Sequence, residues 1–443
     1  MIKVGMISLG CAKNQVDAEI VLGQLKDGYE ITSDEQQADV IIINTCAFIE
    51  SAKEEAINAI LEAAELKKDR LKSLIVTGCL AERYGRDIEK SLPEVDGIIG
   101  IGGYDRIEEA IKTTLSGKKY IYLEENFKLD YLNIERVLST PKGSAYLKIC
   151  EGCDNKCSYC AIPGIRGPFR SRTPEDIVSE AKKLLATGVK EITVVAQDTS
   201  RYGKDLFGEP SLPMLLEKLD SIEGMCKLRI MYLYPDEISA ELIETIKNSK
   251  NILHYVDLPV QHISDNMLRS MNRRGTGKEI REIFRRFREA MPDVIIRSTL
   301  MVGFPGETKE DYEEMREFLI ETEFDRAGIF EYSKEEGTKA AEMGGQIPKR
   351  VKSKRYNELM AIQQKISLKK NLQRVGKTYE TLVEGVSDDG IFYYGRTYAE
   401  APEVDGYVYF TSSEPLEAGQ VVNVKILVAD EYDLTGEAIY DKI

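Results

Sequence analysis

A strand-then-helix rhythm runs through this chain twice, and it constrains the fold more than any other feature. In the first series, from residue 1 to about 118, IKVGMISLG reads as a strand and DAEIVLGQLKD as a helix with apolar residues at helical spacing. ADVIIINTC is a buried strand followed by the helix SAKEEAINAILEAAELKK; SLIVTGC is a third strand, and a further helical stretch follows IIGIGG. Alternation of this kind demands a parallel sheet with helices on its faces. The second series, from about 139 to 345, offers SAYLKIC, EITVVAQD, KLRIMYLYP, HYVDLPV, DVIIRSTLMVG and RAGIFEYS as strands, each separated by a helical stretch. Six such units suit an incomplete (β/α)6 TIM-like barrel, whose chemistry belongs on the loops after the strands.

After about Gly376 the rhythm stops. TYETLVEGV, GIFYYGRTY, GYVYFTS and VVNVKILVAD are short strands punctuated by Gly or Asp, and they predict a five-stranded, OB-like β-barrel. The expected class is therefore α/β plus a small all-β domain: an N-terminal open parallel α/β sheet, the incomplete barrel, and a C-terminal β-barrel. Expected domain ranges are 1–118, 139–370 and 373–443, with the basic stretch from Lys349 as a linking helix.

The cysteines fall where this architecture puts chemistry. Cys153, Cys157 and Cys160 form C-x₃-C-x₂-C in the loop after the first strand of the second series. Three close thiolates suit three corners of a cubane [4Fe–4S] cluster and leave the fourth iron without a protein ligand. Such an open position separates catalytic from structural metal centres. Zinc is the other reading, because Cys150 extends the run to C-x₂-C-x₃-C-x₂-C. Zinc sites usually pair two C-x₂-C units across a longer loop, and four thiolates within 11 residues would strain a tetrahedron. The cluster is the favoured reading.

Cys11, Cys46 and Cys79 each follow a strand of the first series. In an open parallel sheet the C-terminal strand ends share one edge, where ligands bind. The three therefore converge despite their separation in sequence, and they predict a second cluster over three unrelated buried thiols.

Composition narrows the class. The chain has 443 residues, enough for two or three cores, and only two histidines, His254 and His262, for metal or triad chemistry. Eight cysteines in such a chain suggest metal ligation or redox work, not a disulfide framework. No segment reaches 18 consecutive apolar residues and MIKVGMISLG reads directly into a strand, so neither a signal peptide nor a membrane span is expected, and the expected compartment is the cytoplasm. Net charge is −15 and uneven: Lys349–Arg374 holds nine Lys or Arg against one Glu, whereas Gly376–Ile443 holds 14 Asp or Glu against four Lys or Arg. An acidic terminal module repels phosphates and favours a basic partner; a merely solvated surface is the alternative.

These motifs, LGCAKNQVDAE, NTCAF, TGCLAERY, CDNKCSYCAIPGIRG and GFPGET, span nearly the whole chain and resemble those of the radical S-adenosylmethionine (SAM) methylthiotransferases. That family carries an N-terminal cluster domain, a radical SAM barrel and a terminal TRAM domain, in this order. NTCAFIESAKEEAI, VAQDTSRYGKD, MYLYPD, YSKEEGTKA and GRTYAEAPEVDG are similar to its ribosomal-protein branch, RimO. The tRNA-modifying branch usually has an arginine soon after the second cysteine and a YSPRPGT-like segment, where this chain has Ile49 and the acidic Glu335 and Glu336.

The resemblance implies that Cys153, Cys157 and Cys160 hold the radical SAM cluster, and that Cys11, Cys46 and Cys79 hold an auxiliary [4Fe–4S] cluster. It further implies Tyr159, Gln197, Asp198 and Gly303 as SAM contacts. Gln197 and Asp198 stand where many radical SAM barrels have Gly-Gly-Glu. Position 150 is usually serine in the family, so Cys150 reads as an extra thiol. The implied reaction adds a methylthio group to the β-carbon of an aspartate in the twelfth, very basic protein of the small ribosomal subunit. One SAM yields the radical that removes hydrogen, a second the methyl group, and the auxiliary cluster the sulfur. A low-potential electron donor is a required partner, and tRNA is the disfavoured substrate. A tRNA adenosine methylthiotransferase is the rival within the family. A non-catalytic iron–sulfur carrier is the rival outside it, disfavoured because carriers normally ligate every iron.

Overall fold

The computed structural model describes residues 1–123 and 129–440, which form two compact units. The first unit comprises residues 1–139, 150–172 and 333–341; the second comprises 140–149, 173–332 and 342–443.

The first unit is built on six parallel strands: β1 (Lys3–Ser8), β2 (Glu30–Thr32), β3 (Val40–Thr45), β4 (Ser73–Gly78), β5 (Gly97–Ile99) and β6 (Tyr120–Tyr122), in the order β2-β1-β3-β4-β5-β6. β3 and β4 are central, and every residue in them is buried. Their near-continuous Ile, Leu and Val runs are what a strand covered on both faces requires. The helices α1 (Ala12–Leu25), α2 (Glu50–Glu65), α3 (Cys79–Ser91) and α4 (Ile107–Leu115) follow β1, β3, β4 and β5 as the alternation predicts. The edge strands β2 and β6 are three residues each, too short for a periodic signal, and were not foreseen.

The segment 150–172 hangs in sequence from the first strand of the second unit but packs in the first. It contains a two-stranded ribbon, β8 (Cys150–Glu151) against β9 (Arg170–Ser171), and the short helix α5 (Ile162–Arg166).

The second unit holds a parallel sheet, with helices between its strands in sequence, and a closed barrel. Its parallel sheet has the order β7-β10-β11-β12-β13-β14, with β7 (Ser144–Lys148), β10 (Glu191–Val195), β11 (Lys227–Ile230), β12 (Ile252–Asp257), β13 (Ile295–Val302) and β14 (Arg326–Glu331). Strand order follows chain order and β7 and β14 remain edges, so this is the incomplete six-unit barrel. The basic stretch from Lys349 is one helix, Lys349–Leu372, which buries Leu359 and Ile366. The terminal module is a closed barrel of β15 (Thr378–Val386), β16 (Tyr393–Arg396), β17 (Val408–Thr411), β18 (Val421–Ala429) and β19 (Leu434–Ile439), ordered β15-β16-β17-β19-β18. Val383, Val408, Phe410, Val424, Ile426 and Leu434 fill it. Residues 441–443 of the expected terminal range lie outside the described residues.

Two buried carboxylates tie that barrel to the parallel sheet. Glu191 at the start of β10 accepts from Arg229 at 3.0 Å and from Arg396 of β16 at 2.8 Å. Glu400 accepts from Arg374 and, at 3.2 Å, from Arg326 of β14. Burial works against charge at both carboxyls, but the arginines prevail and hold each at about 2.

Candidate functional site

The edge formed by the C-terminal ends of β1, β3 and β4, three adjacent strands, carries one cysteine per strand. Cys11 caps the start of α1, Cys46 follows β3 directly, and Cys79 opens α3. Glycine lets two of these turns form. Gly10 and Gly78 have φ of +97° and +89°; a Cβ at Gly10 would lie 2.8 Å from Cys46 Cβ and 3.2 Å from its Sγ, and one at Gly78 would lie 2.4 Å from Asn44 Oδ1. Only glycine therefore lets these two turns pass so close to Cys46 and to the Asn44–Thr45 strand end.

The three thiols share one electrostatic environment. Burial resists ionisation of Cys11, but Lys13 and Arg166 overcome it and lower that thiol. Burial raises Cys46, and it pushes Cys79 to about 11 against the pull of Arg166, with Cys46 and Cys11 adding to the rise. Among the described residues no three His, Cys, Asp or Glu side chains are gathered tightly enough for a single metal ion. A four-iron cluster asks for something else, one thiolate on each of several irons. A soft all-sulfur donor set on three neighbouring strand ends, one thiol per strand, fits such a cluster.

Polar groups that the motifs contain, but to which the sequence reading gave no role, complete this edge. Asn14 Nδ2 donates to Leu9 O at 3.0 Å and to Thr45 O at 2.9 Å, the carbonyls just ahead of Gly10 and of Cys46. Asn44 Nδ2 returns a bond to Asn14 O at 2.6 Å. Arg166, the last residue of α5, is buried against Asp17, Glu151, Asn14 and Cys79. The clue was available: Lys13, Asn14 and Asp17 stand in the buried first turns of a helix whose apolar rhythm starts only afterwards.

The C-x₃-C-x₂-C loop lies in the same unit. Cys153 N donates to Gly167 O at 3.2 Å and Cys160 N to Cys157 O at 3.1 Å. Cys153 is buried, whereas Cys157, Tyr159 and Cys160 are half-buried. Gly152, at φ +78°, passes so close to Pro168 O that a Cβ would come within 2.1 Å of it. Cys150 is buried in β8 with Sγ 3.6 Å from Ser171 Oγ across the ribbon. The acidic pair of YSKEEGTKA also belongs here: Glu335 is buried and pairs with Lys53 at 3.2 Å and Arg83 at 3.4 Å, while Arg83 donates to Glu336 O at 2.5 Å.

The other expected contacts lie in the second unit. Gln197 and Asp198 follow β10, and Asp198 accepts from Ser200 Oγ at 2.6 Å. Gly303 follows β13 at φ +74°; a Cβ there would meet Lys352 Cγ at 2.3 Å, so its glycine has a packing reason. Two non-glycine residues with positive φ, Tyr232 after β11 and Gln261 after β12, sit at strand ends of the same sheet and were not foreseen. Strain of this kind gathers at functional edges.

The acidic tail needs one correction. Glu400 and Asp405, which the tail's charge balance counts as surface, are internal: Glu400 is held by arginines, and Asp405 accepts from Tyr255 at 2.6 Å and Ala401 N at 2.9 Å. Glu384 is likewise buried against Arg396 at 2.6 Å. Among described residues 376–440, eight carboxylates are nonetheless exposed against two lysines, Lys377 and Lys425.

Comparison with known proteins agrees with this anatomy. Family models match at residues 3–100 (Uncharacterized protein family UPF0004), 147–319 (Radical SAM superfamily) and 375–439 (TRAM domain). A solved radical S-adenosylmethionine methyltransferase, TsrM from Kitasatospora setae, shares the fold at TM-score 0.53 and 13% identity, covering 74% of this chain and 73% of its own. The ribosomal protein uS12 methylthiotransferase RimO of Acetivibrio thermocellus is 54% identical over 99% of this chain and 98% of its own length. The protein of the same name from Pelotomaculum thermopropionicum is 50% identical over 99% of both chains. With both cysteine triplets, the two six-stranded parallel sheets and the terminal barrel in place, the chain belongs to the RimO family of ribosomal protein uS12 methylthiotransferases.

Proposed function

We propose that this chain adds a methylthio group to the β-carbon of an aspartate in ribosomal protein uS12. The observation that carries the reading is identity of 54% and 50%, along 99% of the chain, to proteins named for that reaction. Cys153, Cys157 and Cys160 are proposed to hold the radical SAM [4Fe–4S] cluster, and Cys11, Cys46 and Cys79 an auxiliary one that is the sulfur source. Tyr159, Gln197, Asp198 and Gly303 are proposed SAM contacts. The proposed domains are 1–118 for the auxiliary cluster, 139–370 for the radical SAM core and 373–443 for the TRAM barrel.

When bound, the radical SAM cluster and SAM supply the one-electron chemistry that an unactivated C–H bond requires. Such a bond is not acidic enough for a general base near neutral pH, so the scarcity of histidine is no handicap. The chain's own residues bind and orient the reactants and exclude water and oxygen from them. The exposed carboxylates of the terminal barrel suit recruitment of a basic protein and oppose approach of tRNA phosphates. A low-potential electron donor is the further partner. A substrate of the translation machinery implies work in the cytoplasm, and no described helix is long and apolar enough to cross a membrane.

Anaerobic turnover with uS12 and with tRNA side by side, read by mass spectrometry, tests the reading. The expected product is methylthiolated uS12 with unmodified tRNA. Methylthiolated tRNA with unmodified uS12 would falsify it.

A further inference from the structure

Arg166 stands in the loop of one cysteine triplet and reaches the other. Its side chain is 3% exposed, and Asp17 and Glu151 beside it are 0% and 1% exposed. Nη1 alone serves both carboxylates, at 2.7 Å and 2.9 Å. Tyr131 OH and Tyr104 OH also donate to Glu151 and Asp17, at 2.8 Å and 3.4 Å. Ion pairing therefore leaves the second terminal nitrogen spare. Nη2 is aimed at Asn14 Oδ1, 2.5 Å away, and at Cys79 Sγ, 3.4 Å away. Asn14 in turn holds the carbonyls of Leu9, two residues before Cys11, and of Thr45, just before Cys46. One hydrogen-bonded chain thus runs from the C-x₃-C-x₂-C loop to the sulfur of Cys79 and to the turns that carry Cys11 and Cys46.

We infer that Arg166 is a positioning residue for the Cys11–Cys46–Cys79 triplet, fixing the sulfur of Cys79 directly and the turns of Cys11 and Cys46 through Asn14. The inference rests on the reading that this triplet holds iron. A permanent cation donating N–H to a ligand sulfur stabilises the more negative, reduced state of a cluster and so raises its potential. It also offsets repulsion among three thiolates at one edge. Groups that orient metal ligands in this manner are typically worth about 10–100-fold in metal affinity.

The test uses the full chain carrying Cys153→Ala, Cys157→Ala and Cys160→Ala, so that only the N-terminal triplet can hold a cluster. Within it, Arg166→Lys keeps a cation for Asp17 and Glu151, and so keeps the fold, but has no second nitrogen for Cys79. Both proteins are reconstituted anaerobically and compared by iron content, electron paramagnetic resonance, redox titration and iron release to a chelator. Arg166→Lys is expected to shift the midpoint potential downwards, alter the resonance spectrum and release iron about 10-fold faster or more. Arg166→Gln is expected to exceed it in each respect. An Arg166→Lys protein that matches its parent in potential, spectrum and release overturns the inference while leaving the cluster assignment intact. A parent with Arg166 present that holds no iron overturns the assignment and the inference together.

Discussion

Gly78 and Cys150 mark two kinds of residue at a sulfur-rich site. At Gly78, positive φ and the closeness of Asn44 and the Thr45 backbone leave no room for a side chain. Gly78→Ala is expected to cost at least about 1–3 kcal/mol and to lower iron retention by the N-terminal triplet, measured by thermal unfolding and iron content after reconstitution. Cys150 faces Ser171 across a two-stranded ribbon, a partner that suits a hydroxyl as well as a thiol. Cys150→Ser should therefore keep full iron content and activity, with stability changed by about 1 kcal/mol or less. Loss of one cluster in that variant would make Cys150 a ligand and end the argument from an open iron site. At this scale the gathering of Cys11, Cys46 and Cys79 on one sheet edge was legible, because a strand end is a readable position and a parallel sheet brings strand ends together. Arg166 was not. Its partners are scattered from Asn14 to Glu151, and no periodicity reports a pairing between elements so far apart.

Most strands and helices were legible for the same reason: apolar runs such as VIIIN in β3 or IIRSTLMV in β13 carry their own signal. The exceptions are instructive. β19, LTGEAI, has a glycine and a glutamate within six residues, and barrel closure, not propensity, makes it a strand. The buried ion clusters at Glu191 and Glu400 were invisible too, since each joins residues from separate elements. Their energetics give a prediction. Glu400→Gln should destabilise the second unit by about 3–5 kcal/mol in denaturant unfolding, because it strips charge from between Arg374 and Arg326 and leaves them buried together. The acid response follows from the same groups. Both carboxyls are held at about 2 in the folded state, below their ordinary value of 4.5. Their stabilisation is therefore complete above about pH 4.5 and is lost as pH falls through about 2. Circular dichroism of the full chain should show acid unfolding across that window, beginning at higher pH in Glu400→Gln.

For the molecule as a whole, charge was readable in amount but not in place. The tail's 14 acidic residues include three held internally, Glu384, Glu400 and Asp405, and only the exposed remainder can meet a partner. Reversing Asp388, Asp389, Glu414 and Glu417 to lysine should slow association with uS12, by surface plasmon resonance, more than it hastens dissociation. Attraction across the wild-type surface should weaken as salt shortens its reach below about 8 Å. Variants at Glu400 or Asp405 should instead report on folding, which separates the two classes of acid. The division into units has a consequence of another kind. The chain passes between them five times, and the first unit takes its last piece from residues 333–341. While the chain emerges from the ribosome, Asp17 waits for Arg166, and Lys53 and Arg83 wait for Glu335. A nascent chain of 139 residues thus carries buried charges without their partners, and iron delivered at that stage meets an edge whose cysteines are not yet held. The order of synthesis therefore completes this edge only once Arg166 has been made, and the first unit only once residues 333–341 have followed, about three quarters of the way along the chain.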